Sequence, residues 1–232
     1  MKTVDEWSQE FDLLYNNITS NKAPGIEEYE KSVFLTRAQN SVVIALYRGS
    51  LGDAFEVTEE VTAYLGSLVK QADCTPVTTG EASEQKLSDK SYIYKNPKDL
   101  LFRTWEGCKI TVSDCGSMDA AVEPITQDEY WKTIRNPFRK PNSRKVLRLS
   151  FADEFENNDP NKFTYSELIS DYPIETYTVR YLAKPNPIIL VPLTGGLSID
   201  GKTEAAACEL NEALHYTILA EAVKMAKAVW TM

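Results

Sequence analysis

The chain has 232 residues, enough to bury a substantial hydrophobic core, and its hydrophobic fraction of 43% is ordinary for a globular protein. Its 34 acidic residues outnumber its 25 Lys and Arg residues, so the formal net charge is −9 and the overall field repels phosphate, which argues against sequence-specific nucleic-acid binding. Its apolar runs are all shorter than the roughly 20 residues that cross a bilayer, so we expect no membrane span.

The opening residues and the cysteines both indicate a reducing compartment. The segment Met1–Trp7 lacks the apolar stretch of a secretory signal, so we expect the protein to stay in the cytosol where it is made. The cysteines form neither a C-x-x-C pair nor a zinc spacing with histidine, so we interpret them as buried thiols. They are Cys74, Cys108, Cys115 and Cys208.

The N-terminal part carries the periodicity of two helices. Apolar residues from Asp5 to Ile18 recur at spacings of three and four, which predicts an amphipathic helix. The Asn21–Gly25 corner interrupts this pattern, and a second helix is predicted from Ile26 to Tyr47. These helices should fold back on each other as an αα-hairpin. The expected contacts join Tyr29, Val33 and Phe34 to Phe11, Leu14 or Tyr15.

A third helix and a polar loop are predicted next. The helix should run from Glu56 to Lys70, because Val57, Val61 and Leu65 share one side of it. The segment Gln71–Lys90 is rich in Ser, Thr and Glu, so we expect a loop there. We interpret this loop as a contact between subunits.

The middle of the chain changes to the alternation that is typical of half-buried strands. Tyr177, Val179 and Tyr181 fall on one face, and the residues between them are polar. We therefore expect antiparallel strands with one buried face. The predicted strands are Ser91–Lys95, Leu101–Val112, Ser143–Phe151 and Tyr172–Leu182.

A short helix followed by a basic loop interrupts this region. Thr126–Glu129 fits a capping box, so a helix should begin there and end at Pro137. It should carry Tyr130, Trp131 and Ile134. The segment Arg135–Lys145 has five cations and one aromatic residue. In an acidic chain this composition favours a solvated loop or a subunit contact over a contact with DNA.

The C-terminal part combines an extended segment, a turn and a helix. Pro185 and Pro187 suit an edge strand or an extended arm before Ile188–Val191. The Asp-Gly pair in Ile199–Lys202 predicts a type I′ turn. A final amphipathic helix is predicted from Asn211 to Trp230, and its many alanines would allow another helix to approach closely.

The predicted elements define an α+β fold with an N-terminal helical hairpin plus a third helix, a central antiparallel β region and a C-terminal amphipathic helix. We expect a single composite domain over residues 1–232. Its helical part would cover residues 1–70, its mainly β part residues 91–205, and the C-terminal helix residues 206–232.

Catalytic and metal-binding patterns are weak. His215 is the single histidine, so Ser-His-Asp or Cys-His catalysis would depend on it, and we interpret it as packing at the start of the last helix or as contacting a neighbour. The acidic run Asp153–Asp159 lacks the ligand spacing and central glycine of a calcium loop. We therefore expect no catalytic site, no metal and no cofactor.

Four segments resemble one protein family in order and spacing, and together they extend over most of the chain. They resemble virion structural proteins of crAss-like podoviruses, in the group that includes the head-to-tail ring, or connector, proteins stacked under the portal. None of these segments is a catalytic motif. They are Glu10–Asn40, Val122–Tyr130 with Asn136–Phe138, Glu175–Leu190 and Cys208–His215.

The resemblance implies a non-enzymatic subunit of a closed ring of about twelve copies that matches the portal. Its partners would be other copies of the chain, the portal protein and neighbouring ring or tail proteins. DNA would pass through the ring without sequence-specific binding, and the protein would reside in the virion.

The subunit interface predicted for such a ring includes residues from the helical hairpin, the basic segment and the last helix. We expect Ala226 on an exposed face, and Trp230 and Met232 covered by a neighbour. Two alternatives remain open, namely an enzyme with a carboxylate-based site and a monomeric adaptor. The predicted interface residues are Tyr29, Arg135, Arg139, Lys140, His215, Ala226 and Trp230.

Overall fold

The computed structural model describes residues 2–16, 25–49, 59–78, 86–113, 116–151 and 165–230, without the side chain of Trp230. Predictions for the acidic run 153–159, for residues 21–24 of the hairpin corner, for Cys115 and for Met232 lie outside these residues. The chain divides into two compact units. The helical unit comprises Met1–Leu68 and Lys184–Met232, and the β unit comprises Val69–Ala183. The single composite domain stays a prediction.

The described residues contain five α-helices and eight strands, which confirms the α+β class. The helices are α1 (Val4–Asn16), α2 (Glu28–Arg48), α3 (Glu59–Leu65), α4 (Tyr130–Arg135) and α5 (His215–Trp230). The strands are β1 (Val69–Asp73), β2 (Thr75–Val77), β3 (Ser91–Lys95), β4 (Leu100–Val112), β5 (Gly116–Pro124), β6 (Lys145–Phe151), β7 (Tyr165–Ile169) and β8 (Ile174–Ala183). Short 3-10 turns at Gly66–Leu68 and Glu212–Leu214 follow α3 and precede α5.

The first two predicted helices are present, and polar groups join them. The buried Lys31 ammonium of α2 lies 2.6 Å from the Asp12 carboxylate of α1 and 2.9 Å from Glu28. Burial alone would lower the pKa of Lys31, but the two carboxylates outweigh it and raise the pKa. The apolar contacts predicted for this hairpin differ, because Tyr29 and Val33 pack in the cluster of Ile189, Leu193 and Ile199.

The buried face of α2 is rotated from the predicted one. Val33 and Phe34 were expected to point inward, yet both are only half-buried. Three polar residues are buried instead, namely Ser32, Thr36 and Gln39. They follow helical spacing, so they lie on one face together with Leu35 and Val43. A count of apolar residues alone cannot find such a face.

The polar stripe of α2 binds the extended segment that follows Pro185. The Thr36 hydroxyl donates to the carbonyl of Ile188 at 3.2 Å and accepts from its amide at 3.1 Å. The Ser32 hydroxyl accepts from the amide of Leu190 at 3.0 Å. These bonds satisfy backbone groups that are buried but lie outside the sheet. The predicted extended arm is therefore confirmed, and most of its backbone partners are side chains.

Helices α1 and α5 run side by side in the same direction. Near their starts, the rings of Trp7 and His215 have centroids 5.0 Å apart. Near their ends, the Lys227 ammonium donates to the carbonyl of Leu14 at 3.5 Å.

The turn predicted before α5 is also confirmed, because Asp200 and Gly201 both have positive φ, at 52° and 75°, as a type I′ turn requires.

The β unit is one sheet in the order β1-β8-β4-β5-β6-β7-β3-β2. Neighbouring strands are antiparallel except β5 and β6, which pair in parallel, so the expectation of purely antiparallel strands was too simple. Residues 71–73 lie in β1 and residues 75–77 in β2 rather than in the predicted loop, and the third helix ends at Leu65 rather than at Lys70. Both edge strands are mostly solvent-exposed, so they lack the alternation that predicts strands.

The two edges of this sheet meet. Strands β1 and β2 lie at opposite edges, yet only Cys74 separates them along the chain. Eight flat strands would span about 34 Å at their usual spacing, whereas two residues bridge only about 7 Å. The sheet must therefore curl into a barrel. Its interior holds a cluster that includes Ile110, Val146, Leu168 and Val179.

We predict that Ser32→Ala lowers the free energy of unfolding by about 1–3 kcal/mol, because the buried amide of Leu190 loses its acceptor. Ser41→Ala is the matched control, since Ser41 lies on an exposed face of the same helix, and it should change stability by less than about 0.5 kcal/mol. Urea unfolding followed by circular dichroism measures both. Equal effects of the two substitutions would contradict the role of Ser32.

Candidate assembly surface

Helix α4 is anchored to the outside of the barrel by its buried face. Tyr130 packs with Leu147, Leu149 and Ile169 of β6 and β7, and Ile134 adds to this cluster. The helix predicted from the capping box is thus present. Its N-cap is Glu129, however, and no side-chain capping bond forms there. Packing of the apolar face therefore holds this short helix in place.

The opposite face of α4 and the turn after it expose aromatic and basic side chains. Trp131 is 63% exposed and Phe138 is 91% exposed. The Arg135 guanidinium lies 5.8 Å from the centroid of the Trp131 ring, within cation–π range. Arg139 and Lys140 follow and are also exposed. We call these five residues the basic–aromatic patch.

Hydrogen bonds order the turn that carries Phe138. The Asn136 side-chain oxygen accepts from the amide of Phe138 at 3.0 Å. The Asn136 carbonyl accepts from the amides of Arg139 and Lys140 at 3.1 and 2.9 Å. Further along, the Asn142 side chain accepts from the amide of Arg144. Phe138 is therefore presented to solvent by a fixed turn, as an Asx-turn does.

Charge is distributed unevenly around this patch. Residues 131–148 contain seven Lys and Arg residues and no Asp or Glu, although the whole chain has a net charge of −9. Five of the seven are exposed, whereas Lys145 pairs with Glu123 and Arg148 is mostly buried beside Glu106. The helical unit contains sixteen acidic residues and nine basic ones. The basic–aromatic patch is thus a local cationic surface on an acidic protein.

An exposed aromatic surface of this kind is typical of a binding site. Monomeric proteins bury most large apolar side chains, and a group of exposed ones marks an interaction surface. Trp and Arg are also the residue types that contribute most to protein–protein affinity. The predicted interface residues Arg135, Arg139 and Lys140 are therefore brought together here, with Trp131 and Phe138 added by the structure.

The other predicted interface residues belong to the helical unit, and three of them are partly or fully buried within it. Tyr29 is half-buried, and His215 is buried. Ala226 is 0% exposed, so the expectation that it lies on an exposed face is wrong. The outward side of α5 carries Tyr216 instead, which is 69% exposed. The side chain of Trp230 lies outside the described residues.

His215 is held as a packed, neutral side chain. Its ring packs on Trp7, and its Nε2 lies 3.1 Å from the carbonyl of Leu210. Burial lowers the pKa of His215 from its ordinary value, and Lys2 acts in the same direction. The Leu210 carbonyl and the Glu212 carboxylate oppose this shift without cancelling it. This arrangement agrees with the interpretation of His215 as packing at the start of the last helix.

The strongest candidate for carboxylate chemistry is Glu106, which lies in a buried ionic network of the barrel. Its carboxylate accepts from the Tyr177 hydroxyl at 2.7 Å and contacts Arg148 Nε at 2.8 Å. Arg103 Nε lies 3.9 Å away, and Arg103 donates to Ser166. The Oε2 atom of Glu106 thus contacts both the phenol and Arg148, and Oε1 faces Arg103 at ion-pair distance, which is the arrangement of a structural network.

The three described cysteines, Cys74, Cys108 and Cys208, are buried thiols. Burial raises the pKa of Cys74 and Cys108 to about 12 and that of Cys208 to about 11, so these three are unreactive thiols, as predicted.

In the part of the chain that the structure describes, His, Cys, Asp and Glu side chains form no group that could hold a metal ion. Among the same residues, no helix is long and apolar enough to span a membrane.

Comparison with known proteins decides the family. A family profile described as phage tail ring protein 3/4 matches residues 1–232. The chain belongs to this family. Ring protein 3 of Bacteroides phage crAss001 is 37% identical over 230 residues, which cover 97% of this chain and 94% of the relative. Ring protein 4/5 of the same phage is 30% identical over 234 residues, which cover 98% and 93% of the two chains.

These comparisons confirm the resemblance to ring proteins of crAss-like phages. The sequence did not identify Trp131 and Phe138 as surface residues, because Trp131 was assigned to the predicted helix without regard to its side. A helical signal was available for Trp131, since it lies four residues before Arg135 on the same side of the helix. Tyr130 and Ile134 take the other side.

Glu106→Gln should destabilise the barrel by about 3–5 kcal/mol, because it leaves Arg103 and Arg148 without their counter-ion in a mostly buried network. Glu175→Gln is the control. The Glu175 carboxylate accepts from Thr111 and Ser117 on an exposed surface, so its loss should cost less than about 1 kcal/mol. Urea unfolding provides the comparison, and a neutral effect of Glu106→Gln would show that the network is dispensable.

Stability should decrease as the pH falls below about 6.5, because the unfolded chain then binds a proton at His215 that the folded chain resists. The free energy of unfolding is therefore expected to be lower at about pH 5.5 than at about pH 7.5. In His215→Gln, which keeps a donor for the Leu210 carbonyl, this pH dependence should become weaker. An unchanged pH dependence in the variant would assign the effect to other groups.

Proposed function

We propose that the protein is a non-enzymatic subunit of a closed ring in the head-to-tail passage of a crAss-like phage. The ring lies below the portal, contains about twelve copies and encloses a channel through which DNA passes. Its partners are the portal protein and neighbouring ring or tail proteins. The subunit is made in the host cytoplasm and becomes part of the virion.

The observation that carries this proposal is the exposure of Phe138, which is 91% exposed on a hydrogen-bonded turn directly after the helix that carries Trp131. An enzyme surface has no need to keep a phenylalanine rigidly in water, whereas an assembly surface gains from it. A preordered side chain loses little conformational freedom when a neighbour covers it. Similarity to ring proteins along nearly the whole chain supports the same function.

The charge of the chain suits a passage for DNA. A net charge of −9 repels the phosphate backbone on average, so DNA can move past the protein without being held. The basic–aromatic patch is the local exception, and covering it with another protein surface would remove it from the reach of DNA. Ring closure therefore also removes a cationic surface that could hold DNA in the channel.

An enzyme with a carboxylate-based site is the alternative that this proposal displaces. Glu106 and Glu167 are two carboxylates of the barrel with little exposure to solvent. Glu106 is engaged by Tyr177 and Arg148, and Glu167 accepts from the amide of Leu87 at 2.8 Å. Both carboxylates have structural partners, which argues against a free acid poised for catalysis.

Native mass spectrometry and negative-stain microscopy of the full chain test the ring. The wild type should form a closed homo-oligomer, and Phe138→Ser should raise the concentration needed for assembly at least about tenfold. Leu197→Ser is the control, since it changes an exposed apolar residue outside the patch and should assemble normally. A wild type that stays monomeric at every concentration would contradict the proposal.

A further inference from the structure

A second surface, on the helical unit, has the opposite charge to the basic–aromatic patch. Because α1 and α5 run in the same direction with Trp7 against His215, the starts of the two helices lie side by side. The first turn of α1 carries Asp5 and Glu6, and Glu212 lies in the turn that leads into α5. Several carboxylates therefore gather at one end of this helix pair.

This end also exposes a large aromatic residue. Tyr216 is 69% exposed and follows Glu212 by four residues. Asp5, Glu6 and Glu212 are exposed as well. We call these four residues the acidic–tyrosine patch. Lys2 also acts electrostatically on Glu6 and Glu212, so the patch is acidic because its three carboxylates outnumber this cation. Like the basic–aromatic patch, it joins an excess of one charge with an exposed aromatic ring.

We propose that the basic–aromatic patch of one copy docks on the acidic–tyrosine patch of the next copy. This inference rests on the proposed ring and names the two surfaces that build it. The contact is head-to-tail, so each copy uses one patch as donor and the other as receiver. A repeated contact of this kind closes into a ring when its rotation divides the full circle.

Charge complementarity selects a second copy as the occupant. The basic–aromatic patch needs an acidic partner with an apolar component, and the helical unit has sixteen acidic residues against nine basic ones. Arg135 and Arg139 can pair with carboxylates, while the rings of Trp131 and Phe138 can pack on Tyr216. Like-signed patches repel, so the same charges also prevent contact between two identical patches.

Exposure within the single chain supports the pairing. Phe138 and Tyr216 both remain in solvent in their own chain, so neither ring is already covered by its own fold. The Glu6 carboxylate is held by the amide of Thr3 at 2.7 Å, and the Phe138 turn is held by Asn136. Both patches are therefore ordered before they meet, which lowers the entropy cost of association.

Charge reversal of each patch tests the pairing directly. The first variant, Arg135→Glu with Arg139→Glu, makes both patches acidic, and the second, Asp5→Lys with Glu212→Lys, makes both basic. Glu6 is left unchanged, because it caps the start of α1 through Thr3. Circular dichroism should show both variants folded, since the four substituted side chains are exposed.

Each variant alone should fail to form rings at concentrations at least about tenfold above those that the wild type needs, because like charges then face each other at every contact. An equal mixture of the two variants should restore rings, since every contact again joins opposite charges. Such a ring must alternate the two variants, so its copy number must be even. Native mass spectrometry distinguishes this alternating ring from a statistical mixture.

A zero-length carbodiimide cross-linker, which joins lysine to carboxylates, supplies a second measurement that needs no variant. Chains labelled with ¹⁴N and ¹⁵N are mixed, so that links between copies are recognised by their mixed isotopes. Links between copies are expected from Lys140 to Asp5, Glu6 or Glu212. Links between copies that join Lys140 to other acidic residues would overturn the pairing. So would assembled rings in which Lys140 is linked only to residues of its own copy.

The outcomes separate this inference from the proposed function. Rings of the wild type together with rings of either single variant would overturn the pairing and leave the ring function intact. Loss of DNA binding, with normal rings, in the first variant would assign the basic–aromatic patch to DNA. A wild type that never assembles would overturn the ring function and the pairing with it.

Discussion

The buried backbone of residues 186–190 runs extended outside the sheet, so its amides and carbonyls need partners from elsewhere in the fold. Side chains of α2 supply them, because Thr36 bonds both backbone groups of Ile188 and Ser32 accepts from Leu190. This interaction joins the beginning and the end of the chain into one helical unit. Direct packing of α1 on α5, with Trp7 against His215, completes the unit and places the acidic–tyrosine patch.

The β unit is inserted between these two parts and closes on itself. Strands β1 and β2 are separated only by Cys74 although they lie at opposite edges, and this short link forces a barrel. Inside the barrel, Glu106 balances Arg148 and Arg103, so charge is neutralised where solvent is scarce. The outer surface then remains available, and α4 uses it as a platform from which the basic–aromatic patch faces solvent.

The separation of charge connects this architecture to assembly. An evenly acidic protein would repel its own copies as well as DNA, and self-association would need large apolar surfaces. Here, residues 131–148 carry five exposed cations and no acidic residue, while the helical unit carries the larger share of the net negative charge. The chain can therefore attract a copy of itself in one orientation while keeping a net charge that repels the nucleic acid.

The sequence by itself determined the family and the elements whose own residues carry the signal. The helical periods of α1, α2 and α5 and the Asp200-Gly201 turn are of this kind, because they depend on neighbours in sequence. Tertiary structure decided the rest. Strands β1 and β2 form through backbone pairing with β8 and β3. Their mostly polar side chains give no sign of this pairing in the sequence. It also decided that Ser32 is buried and Phe138 exposed, because exposure depends on which distant segment covers a side chain.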